Sequence, residues 1–165
     1  MQLSAFPFST ILFDLDGTLV DSAPDVLEAI AAVLRDAGDP VPRMELSIIG
    51  PPLEGIFREV CPDADETKIA RHVAAFRDLY FGGTFPQSTP YPGIFALLER
   101  LRAKGCRLFV ATHKPEAAAQ RMLTLKGFMP FLEGVGCTDS LPDRQLCITG
   151  DFRVLVQDDR HFGGN

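Results

Sequence analysis

Two carboxylates separated by one residue, Asp14 and Asp16, are followed at once by Gly17 and Thr18. This spacing gathers several oxygens and backbone amides around one point, which can hold a hard cation and a phosphate together. Mg²⁺ takes oxygen ligands and keeps some of its waters, bridging a carboxylate and a substrate phosphate rather than filling a closed protein cage. With that charge screened, Asp14 is placed to attack phosphorus and to divide a hydrolysis into formation and breakdown of an aspartyl phosphate. Asp16 is placed to protonate the leaving oxygen and then to activate water. The alternatives are an acidic turn, since Asp and Gly favour turns, or a calcium loop. An EF-hand needs further acids at alternating positions and a distal Glu, whereas this sequence turns apolar at Leu19 and Val20.

Elements that can position such a loop are legible on both sides of it. Residues Thr10 to Phe13 are a short apolar run stopping at Asp14, the pattern of a buried parallel strand that ends in a functional loop. From Ser22, a plausible N-cap with Pro24 in the first turn, Val26, Ile30, Val33 and Leu34 recur at helical spacing as far as Gly38. Leu53, Ile56, Phe57 and Val60 predict a second helix, and Ile69, Val73, Phe76 and Leu79 a third from about Asp65 to Tyr80. Three helices with no strand between them make a helical insert. The turn-rich stretch from Pro86 to Gly93 closes it, and a helix beginning at Ile94 ends at Lys104-Gly105. A strand at 107–111 ending at Thr112, a helix from Pro115 to Lys126 and a short strand near 134–137 then alternate as in a parallel sheet. Leu146 to Thr149 and Val154 to Val156 have strand character, but no helix-length segment separates them, so a parallel crossover does not fit there.

The composition narrows the function classes. With 165 residues, 46% hydrophobic and 23% charged, the chain can bury a real core. A net charge of -6 and the lack of a basic run argue against nucleic acid as a partner. Cys61, Cys106, Cys137 and Cys147 include no CxxC pair, so zinc and redox motifs are unsupported and reduced, buried thiols are expected. The N-terminus matches neither a signal peptide nor a membrane helix, so no membrane association and a cytoplasmic location are expected.

The segment Phe13-Asp14-Leu15-Asp16-Gly17-Thr18, after an apolar strand, resembles the first motif of the haloacid dehalogenase superfamily. The resemblance implies an α/β fold, a Rossmann-like parallel sheet with a small α-helical cap inserted after the first strand. The core would be residues 1–20 and 89–165, and the cap residues 21–88. Substrate is then expected at the carboxyl ends of the strands, beneath the cap. Val110-Ala111-Thr112-His113-Lys114-Pro115 resembles the second motif, which assigns phosphoryl binding to Thr112 beside Gly17 and Thr18. Taken alone, Thr112 reads equally as a hydroxyl capping the next helix. Lys114 reads either as a contact to an anionic substrate or as a solvated lysine at a helix start. Arg43 and Arg58 read as surface charges and His113 as an exposed loop residue. Asp21-Ser22, Ile49-Gly50-Pro51-Pro52-Leu53 and Lys114-Pro115 look most like the phosphoglycolate phosphatase branch, which implies a Mg²⁺-dependent phosphatase acting on a small phosphorylated metabolite.

The resemblance weakens after about residue 143. The family's third motif is a lysine, yet none follows Lys126; Arg144 is the nearest cation, and its planar fork is no equivalent of an ammonium. Gly150-Asp151 superficially matches the acidic fourth motif and makes Asp151 a candidate metal ligand, but Leu155 stands where a second acid belongs. A truncated or frame-shifted gene is the expectation, with a divergent short tail as the alternative. A weak site and an exposed sheet edge favouring homodimers follow from it. Two competing functions stay open: a non-catalytic remnant or interaction protein, and a phosphotransferase, mutase or 5′-nucleotidase using the same aspartyl phosphate.

Overall fold

A computed structural model describes residues 9–137, Asp139 and two further strands near the C-terminus. In chain order the elements are β1 (Thr10–Phe13), β2 (Val20–Asp21), α1 (Ala23–Asp36), α2 (Leu53–Val60), α3 (Glu66–Gly82), β3 (Thr89–Pro90), α4 (Ile94–Ala103), β4 (Arg107–Thr112), α5 (Glu116–Leu125), β5 (Gly134–Cys137), β6 (Leu146–Ile148) and β7 (Phe152–Val154). They form two compact units. Residues 16–91 make one, and the described residues before 16 and after 91 make the other.

The second of these is an α/β unit built on a parallel sheet ordered β1-β4-β5. Ile11 pairs with Leu108, Phe13 with Val110, and Thr112 with Cys137. Leu108, Phe109 and Val110 are all buried, the near-continuous apolar run that a strand covered on both faces requires. α4 packs on β4 and α5 on β5, burying Leu98 and Leu101 from one helix and Ala118, Ala119, Met122 and Leu123 from the other. Since parallel neighbours cannot be joined by a tight turn, α5 serves as the crossover from β4 to β5. β6 and β7 pair antiparallel, Leu146 with Val154 and Ile148 with Phe152, which accounts for two strands so close in sequence. Arg144, Asp151, Asp158 and Asp159 lie outside the described residues.

Residues 16–91 form a helical unit with α3 at its centre, in contact with α1 and α2. Ile69, Val73, Phe76 and Tyr80 line the buried face of α3, and the Phe57 and Phe76 rings meet edge to face at 6.4 Å. Asp65 caps α3 through the Lys68 amide at 2.7 Å. α1 ends in a Schellman motif: Gly38 N–H donates to the Arg35 carbonyl and Asp39 N–H to that of Leu34. Gly38 has φ 73°, a left-handed conformation that side chains with a Cβ resist. The turn aims Asp39 back at α3, where its carboxylate accepts from Lys68 Nζ and meets His72 Nε2 at 2.9 Å.

Two expectations are corrected here. The stretch after Pro86 is more than a turn, because Thr89–Pro90 pairs antiparallel with Val20–Asp21. A two-residue ribbon carries no periodicity, so only its tertiary partner defines it. Ser22 occupies the N-cap position of α1 but its side chain makes no capping bond; the Ala23 amide donates instead to Asp21 Oδ1 at 3.3 Å.

The charged group that fastens α1 is Asp25, buried in its first turn. Its carboxylate accepts from the backbone amides of Gln87 at 3.1 Å and Ser88 at 2.6 Å, and from the Ser88 hydroxyl. Asp25→Ala strands these donors in a dry environment and is expected to cost about 2–3 kcal/mol, read as a lower denaturant midpoint at unchanged slope. A midpoint within error of the parent would show that the donors find other partners.

Asp39 supplies a pH test. The hydrogen bond from Lys68 holds its carboxyl below the ordinary carboxylate range, with burial opposing and His72 assisting. A depressed folded-state pKa gives stability that is fully present above the unfolded value of about 3.9 and is lost as pH falls through the folded one. In chelator-containing buffer, wild type should therefore exceed Asp39→Asn in stability at pH 6, and the gap should close as the pH falls below about 4. A gap independent of pH would remove the ionic contribution.

Candidate active site

In the α/β unit, Asp14 follows the last residue of β1 and is exposed, with its Oδ1 accepting from the Leu15 amide at 2.7 Å. Because Phe13 is level with Val110 in the parallel register, Asp14 and Thr112 leave neighbouring strands at the same, carboxyl, end of the sheet. Thr112 is buried and its Oγ1 accepts from the Lys114 amide at 3.2 Å, a local turn bond that falls before the first residue of α5 and so is not the helix cap of the alternative reading. Lys114 is only 5% exposed, which rules out the solvated lysine of the sequence reading. Its stem lies in the α/β unit two residues beyond the strand end. His113 is exposed.

In the helical unit, Asp16 is half-buried and bridges to Val20, while Gly17, at φ 79°, donates its amide to the Val20 carbonyl at 2.8 Å. This tight loop needs the glycine for its left-handed backbone. It buries Leu19 and Val20 completely and leaves Thr18 exposed. The sequence of alternating acids and apolar residues thus sorts by side: Leu15 and Leu19 into the interior, Asp14 and Thr18 to solvent. Asp14 and Asp16 offer only oxygen donors, the type that Mg²⁺ takes, so their chemistry fits that ion.

Two residues near this chemistry carried no sequence signal. Tyr80 ends the apolar face of α3; burial first, then the charge of Asp16, pushes its phenol well above the usual range, so it stays neutral near that carboxylate. Asp139 lies just past β5 and accepts from the Glu116 amide at 2.9 and 3.1 Å, capping α5. Asp139, after burial, helps push the neighbouring Cys137 thiol up to about 11, so that thiol is protonated and unreactive at neutral pH. Arg58 is paired with Glu66 through two bonds of 3.0 and 2.8 Å on the surface, and Arg43 is exposed, as expected of surface charges.

A Rossmann-like parallel sheet with an Asp-x-Asp-Gly-Thr loop after its first strand defines a class of hydrolases. Residues 11–144 match the model of the haloacid dehalogenase-like hydrolases, and the chain belongs to that family. It is 36% identical over 149 residues to the plasmid-encoded phosphoglycolate phosphatase of Cupriavidus necator, covering 86% of this chain and 63% of that protein. It is 37% identical over 117 residues to the tyrosine-protein kinase PtkA of Mycobacterium bovis, covering 68% of this chain and 38% of that one. Among solved structures, a predicted phosphoglycolate phosphatase from Haemophilus somnus superposes with a TM-score of 0.71 at 30% identity, over 84% of this chain and 66% of that one. The chain therefore spans less than two thirds of the length of the curated relatives it matches.

Proposed function

We propose that this chain carries the nucleophile half of a Mg²⁺-dependent phosphatase acting on a small phosphorylated metabolite such as phosphoglycolate. The observation that carries the reading is the Asp14-Leu15-Asp16 loop at the carboxyl end of β1, level with Thr112 on the adjacent strand. Asp14 attacks phosphorus, forming the aspartyl phosphate as the bond to the leaving oxygen breaks. Asp16 gives that oxygen its proton. Water then attacks the phosphoryl group, yielding its proton to Asp16 and restoring the Asp14 carboxylate with release of phosphate. Thr112, Gly17, Thr18 and Lys114 orient the phosphoryl oxygens and offset their charge. Asp14 and Asp16 would hold Mg²⁺, which would supply neutralisation of the negative charge that develops during phosphoryl transfer.

Hydrolysis is preferred over transfer to a protein hydroxyl because the similarity to the phosphatase runs over 149 residues against 117 for the kinase. Among the described residues no helix is long and apolar enough to cross a membrane. The test is phosphate release from a panel of monoesters that includes phosphoglycolate, with Mg²⁺ and with excess EDTA. Release that requires Mg²⁺ and is fastest with the small carboxylated ester is expected. Equal release in EDTA would remove the metal from the reaction, and no release from any ester would overturn the hydrolase reading for this chain.

A further inference from the structure

The helical unit contains a second constellation of ligating groups that the phosphoryl chemistry does not use. Asp39 comes from the Schellman turn after α1, Cys61 from the C-cap of α2, and His72 from the middle of α3. A carboxylate oxygen, a thiol sulfur and a ring nitrogen from these three all lie within 4.8 Å of one another. His72 is buried, Asp39 is 13% exposed at its side chain, and Cys61 is half-buried. The Phe57 ring lies 5.4 Å from the imidazole and helps to exclude water.

We propose that Asp39, Cys61 and His72 form a binding site for a zinc-type divalent ion, with a fourth position left to water. The donor set is one oxygen, one sulfur and one nitrogen. That mixture selects borderline-soft ions and is foreign to Mg²⁺, which favours oxygen alone. Zinc bonds of about 2.0–2.3 Å set tetrahedral ligands roughly 3.3–3.8 Å apart, so the three atoms need only local side-chain adjustment. Three protein ligands plus water is the open form of a zinc site.

Without metal, a proton holds the place: His72 Nε2 and Asp39 Oδ2 share a hydrogen bond of 2.9 Å. Zinc takes the ring nitrogen that faces Asp39, with the imidazole keeping one proton on its other nitrogen, and the thiol proton of Cys61 leaves to solvent. Lys68 sits on the other carboxylate oxygen, Asp39 Oδ1, so it can remain as an outer partner that orients the ligand rather than competing for the same atom. The three donors are 22 and 11 residues apart, a spacing that matches no local motif, and the packing of α1, α2 and α3 alone brings them together.

The test titrates the chelator-stripped full chain with Co²⁺ while Mg²⁺ is held saturating, so that oxygen sites are filled. One equivalent should bind, with the visible bands of a tetrahedral ion and a near-ultraviolet thiolate-to-cobalt band, and one equivalent of Zn²⁺ should bleach both. Cys61→Ser should abolish the thiolate band and weaken Zn²⁺ binding by at least about 10²-fold, beyond what loss of an outer partner causes. Asp39→Asn should weaken binding while keeping the band, and Cys106→Ala should change neither. Circular dichroism checks that each variant is folded. Binding of less than one equivalent to the folded wild type, or a thiolate band that survives Cys61→Ser, would overturn the proposal.

Discussion

Asp14→Asn is expected to reduce Mg²⁺-dependent hydrolysis of p-nitrophenyl phosphate by at least about 10³-fold, to the background of the assay. An amide is too poor a nucleophile to attack phosphorus, and it also withdraws one anionic ligand from the cation. Asp14 is exposed at a strand end and its contact to the Leu15 amide is local, so the fold should survive the change. The check is steady-state turnover beside a thermal melt. Unaltered turnover in a folded variant would free Asp14 of its role, whereas lost activity with a collapsed melt would point to structure.

Asp16→Asn should slow turnover by about 10²–10⁴-fold, the usual range for a general acid-base group, but with a distinctive pattern. Nitrophenol leaves readily without a proton, so phosphorylation of Asp14 should continue while water attack stalls. A rapid burst approaching one equivalent of nitrophenol followed by a slow steady rate is therefore expected. An alkyl ester, whose leaving oxygen needs the proton, should show neither burst nor appreciable rate. Wild-type turnover of both esters would sink the acid-base assignment. The neutral Tyr80 phenol near Asp16 adds no proton acceptor at neutral pH, so it is not expected to rescue the variant.

The sequence reading succeeded where a local pattern and a tertiary requirement coincide. β1 runs from Thr10 to Phe13 as the apolar run indicates, and Leu53–Val60 and Glu66–Gly82 are helices where the 3.6-residue spacing places them. β5 forms at Gly134–Cys137 despite two glycines, because pairing with the buried β4 outweighs their weak strand preference. It failed where a residue's role depends on a distant partner. Lys114 reads in sequence either as a contact to an anionic substrate or as a solvated lysine, because only the packing around the end of β4 buries it. Asp25 carried no sequence signal of its role, since it accepts from Gln87 and Ser88 more than 60 positions away.

The family was legible in sequence alone, and the residues proposed to carry its chemistry, Asp14, Asp16, Gly17 and Thr18, lie so close along the chain that no fold can separate them. The proposed nucleophile, its proposed acid-base partner and a turn fall within five residues and need only one strand to present them. The parallel register that brings Asp14 and Thr112 to the same end of the sheet, the ribbon between Val20–Asp21 and Thr89–Pro90, and the meeting of Asp39, Cys61 and His72 were decided by tertiary structure. Each joins segments whose proximity follows from burying apolar faces of helices and strands, and side-chain identity along the chain carries no record of which faces will meet.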